Sequence, residues 1–193
     1  MKQRPILFST EMVQAILAGR KTQTRRVVKP QPIEWLEHVS GDLFCDKHTS
    51  GILPKSFKCP YGKKGDVLWA REAFCYNDDD GYSSEFSYKA DHPTAKGWKP
   101  SIHMPKDAAR IWLRIKDVRV ERLQSVSMRD AMHEGIESID HGAHWKNYMK
   151  DEISSYVFPR HSFESLWQSI NGLESWNANP WVWVIEFERI EKP

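Results

Sequence analysis

The chain has 193 residues, 40 % hydrophobic and 28 % charged, which is enough apolar material to close a core and argues against a disordered chain. No run approaches the roughly 18 apolar residues of a membrane helix. The N-terminus, MKQRPILFSTEM, has neither the apolar core nor the cleavage site of an export signal. Three cysteines (Cys45, Cys59 and Cys75) do not make a disulfide scaffold, so a cytoplasmic protein with no membrane partner is expected. The net charge of +2 hides an asymmetry: residues 1–64 carry 12 Lys/Arg against 5 Asp/Glu, a net of +7, and the remainder carries a net of −5. Such a basic third is either a solvated face or the seat of one local anionic partner. Nine tryptophans exceed ordinary usage, and tryptophan serves both cores and base stacking.

Taken in order, Arg4–Phe8 reads as a strand, and Ser9 or Thr10 can cap a helix carrying Met12, Ile16 and Leu17 on one face. Gly19 suits the left-handed end of that helix, and residues 23–28 read as extended before Pro30 and Pro32. Residues 30–64 are rich in Pro, Gly and Lys and lack periodicity, which predicts a loop-rich basic insertion. A strand runs from Val67 toward Phe74, a turn spans residues 77–81, and a second strand covers Ser83–Ala90. Residues 91–109 read as a loop. The alternation over residues 110–123, broken near Val118, predicts a long or bulged strand. Ser127 opens a short helix that Gly135 ends. Residues 137–160 look irregular, with one helix near Trp145–Lys150. Ser162 caps a helix with a Phe163, Leu166, Trp167 and Ile170 stripe, and Trp181–Ile190 is a closing strand. Strands with short helices between them, without regular alternation, predict one α+β domain over 1–193: a small mixed β-barrel with flanking short helices and long loop insertions.

The densest chemistry lies in Gly19-Arg20-Lys21-Thr22-Gln23-Thr24-Arg25-Arg26. On an extended chain Thr24 and Arg26 share one face and Arg25 takes the other. A lysine beside a hydroxyl can act as base and nucleophile if burial or neighbouring cations lower its pKa. Basic residues at the negative end of a helix dipole have the same appearance. A second candidate is Trp69-Ala70-Arg71-Glu72, where a strand sets Trp69 beside Arg71 as a base-stacking pair, or else as a barrel strand with an internal Arg–Glu pair. His103, between Pro100 and Pro105, is either an acid–base group or a loop histidine. Cys45-x-x-His48 with Cys59 supplies three of the four ligands of a structural zinc, so no metal is assigned. No nucleotide-loop, dinucleotide or serine-elbow motif is present, and no cofactor is expected.

The Gly19–Arg26 segment resembles the Gly-x-Lys-x-x-(Glu/Thr)-x-Arg signature of ASCH domains, relatives of the PUA fold associated with RNA; Gly19, Lys21, Thr24 and Arg26 match it. Residues 65–72, 100–105 and 179–183 are similar to stretches of a longer ASCH variant carried by phages and prophages. The resemblance implies a PUA-like barrel. It also implies one of three roles: hydrolysis of the N4-acyl amide of N4-acetylcytidine or a related nucleoside, cleavage of single-stranded RNA, or non-catalytic binding of RNA or DNA. For the amidohydrolase it implies Lys21, Thr24 and Glu134 as catalytic residues, Glu134 by its place in the short helix before Gly135. Arg20, Arg25, Arg26, Trp69, Arg71, Glu72 and His103 stand beside them as substrate-binding candidates. The chain is longer than the small amidohydrolases through residues 30–64 and 77–109.

Overall fold

The computed structural model describes residues 1–32, 36–40, 43–46, 56–76, 86–149 and 153–193; over 36–46 it describes the backbone and, of the side chains, Phe44. The architecture is α+β. Five strands, β1 (Gln3–Leu7), β2 (Gln23–Val27), β6 (Val67–Arg71), β9 (Trp112–Arg122) and β12 (Trp181–Ile190), form a mixed sheet in the order β1-β6-β9-β12-β2. Only β1 and β6 run parallel; the remaining neighbours are antiparallel. The sheet is not closed into the expected barrel: among the described residues β1 and β2 are its two edges and do not pair. The space between them is crossed by α1 (Thr10–Leu17), which links them in sequence, and by Arg26, whose Nη2 donates to Leu7 O at 2.5 Å.

Local chemistry sets the boundaries. Ser9 Oγ accepts from Met12 N at 3.3 Å to start α1, and Gly19, at φ 73°, leaves it in the left-handed conformation expected. Ser127 Oγ caps the head of α2 (Met128–His133) by accepting from Asp130 N, and its hydroxyl donates to Asp130 Oδ2. The break in alternation near Val118 is a bulge: the β9–β12 register slips between Glu186 and Phe187 and leaves Lys116 opposite neither.

Two sides of β12 organise two cores. Trp183, Ile185 and Phe187 join Ile6, Leu113, Val13 and Ile16 on the α1 side. Val182 and Val184 meet Ala131, Phe163 and Trp167 of α2 and α3 (Pro159–Asn171) on the other. A third cluster, around Trp69, Met104 and Trp112, closes the far end.

Four expectations are corrected. Residues 30–64 are not simply a loop: β3 (Leu36–Ser40), β4 (Leu43–Asp46) and β5 (Ser56–Lys58) form an antiparallel sheet, too short-stranded to show a period. The strand from Val67 stops at Arg71; β7 (Phe74–Tyr76) follows separately and pairs with β8 (Phe86–Tyr88). Trp145–Lys146 is no helix but strand β10, paired with β11 (Ser155–Tyr156). The third helix begins at Pro159, because proline at the first turn needs no partner for the N–H it lacks; Ser162 lies inside it and donates to Lys146 O at 2.6 Å. The turn over 77–81 lies outside the described residues.

The small sheet is part of the core, since Phe44 is 2 % exposed and stacks edge-on to Trp183 with ring centroids 5.1 Å apart. Phe44→Ala should therefore lower unfolding stability by about 3–5 kcal/mol, the usual cost of emptying a buried phenylalanine site. A urea midpoint equal to wild type would show that residues 30–64 are a detachable appendage.

Candidate functional site

Three segments meet beside the free edge of β2. The turn after α1 brings Lys21, β2 brings Thr24, Arg25 and Arg26, and the end of α2 brings Glu134. Lys21 and Glu134 form a β-bridge, and Thr22 N donates to His133 O at 2.9 Å, so backbone pairing alone sets the two side chains together. Gly135 allows the approach. Its φ is +89°, and a Cβ there would lie 2.7 Å from Lys21 Cβ and 3.0 Å from Ala15 Cβ.

The polar contacts are closely made. Lys21 Nζ donates to Glu134 O at 2.8 Å and to Glu134 Oε2 at 3.0 Å. Arg25 Nη1 donates to Glu134 Oε1 at 3.0 Å. All three side chains are buried, as is Thr24, at 1 % exposure. Arg25 Nη2 also reaches Glu121 at 3.1 Å and Asp130 at 3.7 Å. Arg119 continues the network, donating to Glu121, Asp130, Gln23 and Glu186. Burial, with Arg25 and Arg26 nearby, lowers the Lys21 pKa from its ordinary 10.5 despite the opposing pull of Glu134.

Lys21, Thr24, Arg25, Arg26 and Glu134 line one cavity of about 80 Å³, which Met12 of α1 and Phe163, Leu166, Trp167 and Ile170 of α3 wall off. It adjoins two larger clefts. One, of about 540 Å³ between α1 and α3, shares Met12, Glu134, Leu166 and Ile170 with it and contains Arg20, Glu137 and Tyr148. The other, of about 520 Å³, shares Arg26 and is lined by Lys29, Lys58, Tyr61 and Trp183. The small cavity is thus an inner chamber between an α1–α3 cleft and a basic groove. Chemically it offers an amine pushed toward its neutral form, a buried threonine, and a carboxylate holding the amine in place. Those are the parts of acid–base or nucleophilic catalysis.

The remaining candidates divide. Arg20 is exposed at the mouth of the α1–α3 cleft and donates to Gly135 O at 2.8 Å. Arg26 bridges the seam, its guanidinium 5.4 Å from the Phe8 ring centroid, and burial lowers its pKa. Arg25 is a strut of the ion network, with Phe163 at 5.7 Å. The structure does not bring Trp69, Arg71, Glu72 or His103 to the chamber. Trp69 is in the third core cluster. Arg71 is tied to Met104 O at 3.0 Å and to Ile102 O, with its guanidinium carbon 5.5 Å from the Trp69 ring centroid. Glu72 takes a two-pronged hydrogen bond from Arg110 at 2.9 and 3.0 Å, the internal Arg–Glu alternative, and burial still holds its pKa above the usual range. His103 is exposed in a 3-10 turn over 101–103. Cys59 is buried in the first core cluster and no group of metal-ligating side chains occurs among the described residues; the Cys45 side chain and His48 lie outside them.

Sequence reasoning missed the contribution of α3. Its Phe163–Ile170 stripe reads as core, and nothing in helical spacing distinguishes a side chain that fills a core from one that walls a cavity. Comparison of the chain with family models, curated proteins and solved structures finds no match in any of the three. No helix among the described residues is long and apolar enough to cross a membrane.

Gly135→Ala tests the close approach. The added methyl meets Lys21 and Ala15 in a backbone conformation that alanine resists, so stability should fall by about 2 kcal/mol or more in urea unfolding. A wild-type midpoint would mean that the Lys21–Glu134 pairing tolerates separation.

Proposed function

We propose that the chain is an ASCH-type protein with a PUA-like fold, an incompletely closed barrel, and that it hydrolyses the N4-acyl amide of cytidine or a related modified nucleoside. The observation that carries this reading is the buried Lys21–Glu134 pair, with its amine pushed toward neutrality, lining the same chamber as Thr24. The match of Gly19, Lys21, Thr24 and Arg26 to the ASCH signature supports it, as does the place of Glu134 at the end of α2.

In this mechanism the neutral Lys21 amine takes the proton of the attacking oxygen, which belongs either to Thr24 or to a water that Thr24 orients. The carbonyl becomes a tetrahedral oxyanion facing the guanidinium of Arg26. Lys21 then returns the proton to the departing nitrogen and the C–N bond breaks. Where Thr24 attacks, water cleaves the resulting ester in a second step. Either route consumes one water and yields a carboxylic acid and cytidine. Glu134 positions Lys21 and balances its charge when protonated.

The wild-type protein incubated with N4-acetylcytidine should release cytidine on a chromatographic assay, and Lys21→Met should lose activity about 10³-fold or more while retaining its fold. Wild-type turnover in Lys21→Met, or no cytidine from either protein, would contradict the reading. The pH dependence has a definite sign. The base works as the free amine, so kcat/KM rises with pH through the Lys21 pKa; because burial lowers that value, the rising limb lies below 10.5. A rate that is flat over this range, or that falls as pH rises, would exclude Lys21 as the base.

A second reading, binding or cleavage of single-stranded RNA or DNA, draws support from the groove that carries Arg26, Lys29 and Lys58 beside Tyr61 and Trp183. It predicts affinity for a single-stranded oligonucleotide that falls steeply with salt, whereas turnover of an uncharged nucleoside does not. Salt-insensitive or absent oligonucleotide binding would remove it.

A further inference from the structure

Three residues that line the inner chamber carry N–H groups without an acceptor among the described residues. Trp167 lines it, is 6 % exposed, and its indole Nε1 is buried with no acceptor among the described residues. The Nε atoms of Arg25 and Arg26, which line the same cavity, are likewise buried and unpartnered. The one carboxylate in the lining, Glu134, is already engaged by Lys21 and Arg25. A buried N–H without an acceptor is destabilising, and such a cost persists where a ligand discharges it. The group that complements this lining is an acceptor without protons of its own, such as a carbonyl oxygen.

Volume narrows the choice further. At about 80 Å³ the chamber is well below the roughly 300–1,000 Å³ of pockets that hold whole small molecules, so it takes a few heavy atoms and no base or sugar. The α1–α3 cleft, at about 540 Å³, meets it along Met12, Glu134, Leu166 and Ile170 and is large enough for a nucleoside.

Resting on the amidohydrolase reading, we propose that the chamber is an acyl-group pocket. The base lies in the α1–α3 cleft, the short acyl arm enters past Glu134, and Trp167 Nε1–H donates to the acyl carbonyl oxygen. Trp167 is then a catalytic residue supplied by α3. Its hydrogen bond strengthens as that oxygen acquires charge, because the donor is fixed in place and shielded from water.

Two measurements decide this. Trp167→Phe keeps an aromatic ring at the position and removes the N–H together with part of the indole volume. With N4-acetylcytidine as substrate it should lower kcat about 10²-fold with a small change in KM, the signature of a donor that acts on developing charge. A packing role alone would lower the melting temperature and leave kcat unchanged. Separately, the Trp167 indole resonance, assigned by its loss in Trp167→Phe, is followed in ¹⁵N-labelled Lys21→Met protein. It should move on addition of N4-acetylcytidine and stay in place on addition of cytidine, which lacks the carbonyl. Wild-type turnover together with an unaltered kcat in Trp167→Phe, or an indole resonance indifferent to the acyl group, overturns the pocket and leaves the amidohydrolase standing. An inactive wild type whose indole nevertheless responds to the acylated nucleoside alone overturns the hydrolysis and leaves the pocket. An inactive wild type with an indifferent indole overturns both.

Discussion

The carboxylate of Glu134, held between Lys21 and Arg25, is the constraint on which the rest of the site depends. One oxygen meets each cation, and all three side chains are buried. Removing one partner of such a cluster typically costs about 3–5 kcal/mol, because the others are left charged in a poorly solvating interior. The contact locks the end of α2 onto the turn after α1, a join completed by Thr22 N to His133 O and by the missing Cβ of Gly135. With α2 fixed there, the second core forms between it, α3 and the Val182–Val184 side of β12, and α3 comes to lie across the edge of β2. The chamber is the space left between these elements.

Electrostatics then separates three neighbouring cations that the sequence presents as one basic run. Arg25 is neutralised by Glu134, Glu121 and Asp130, which makes it structural. Arg26 has no carboxylate partner among the described residues; it spans the two edge strands through Leu7 O and faces both the chamber and the basic groove. Lys21 has one carboxylate, but burial and the two arginines push its amine toward the neutral form. A site able to move a proton and meet a developing negative charge follows from that division of labour.

Much of this was legible in the sequence. The capping serines Ser9 and Ser127, the glycines at 19 and 135 and the alternation of Trp183, Ile185 and Phe187 fix α1, α2 and β12, because each depends on local chemistry alone. The contact of Lys21 with Glu134 spans 113 residues, which local pattern does not supply; in the sequence the two stand together only as an implication of the family resemblance. The illegible parts have physical reasons. The strands within 30–64 are three to five residues long, at most two and a half periods, and Phe44 joins the core from a segment that shows no sustained alternation. Trp69, Arg71 and Glu72 have the composition of a binding strand, and the partner of Glu72, Arg110, lies 38 residues along the chain, beyond the reach of local pattern. Trp167 has the spacing of a core residue, and only the structure shows that it lines a cavity and that its indole N–H has no acceptor among the described residues.

The central claim is that burial makes Lys21 a base at the heart of a paired cluster. The direct measurement is an NMR titration of the lysine side chains, with the Lys21 resonance identified by its absence in Lys21→Met. Lys21 should lose its proton below the ordinary 10.5 while the protein remains folded. A Lys21 that stays protonated at or above 10.5 would mean that Glu134 outweighs burial, and that the pair is a structural clasp with no base to offer.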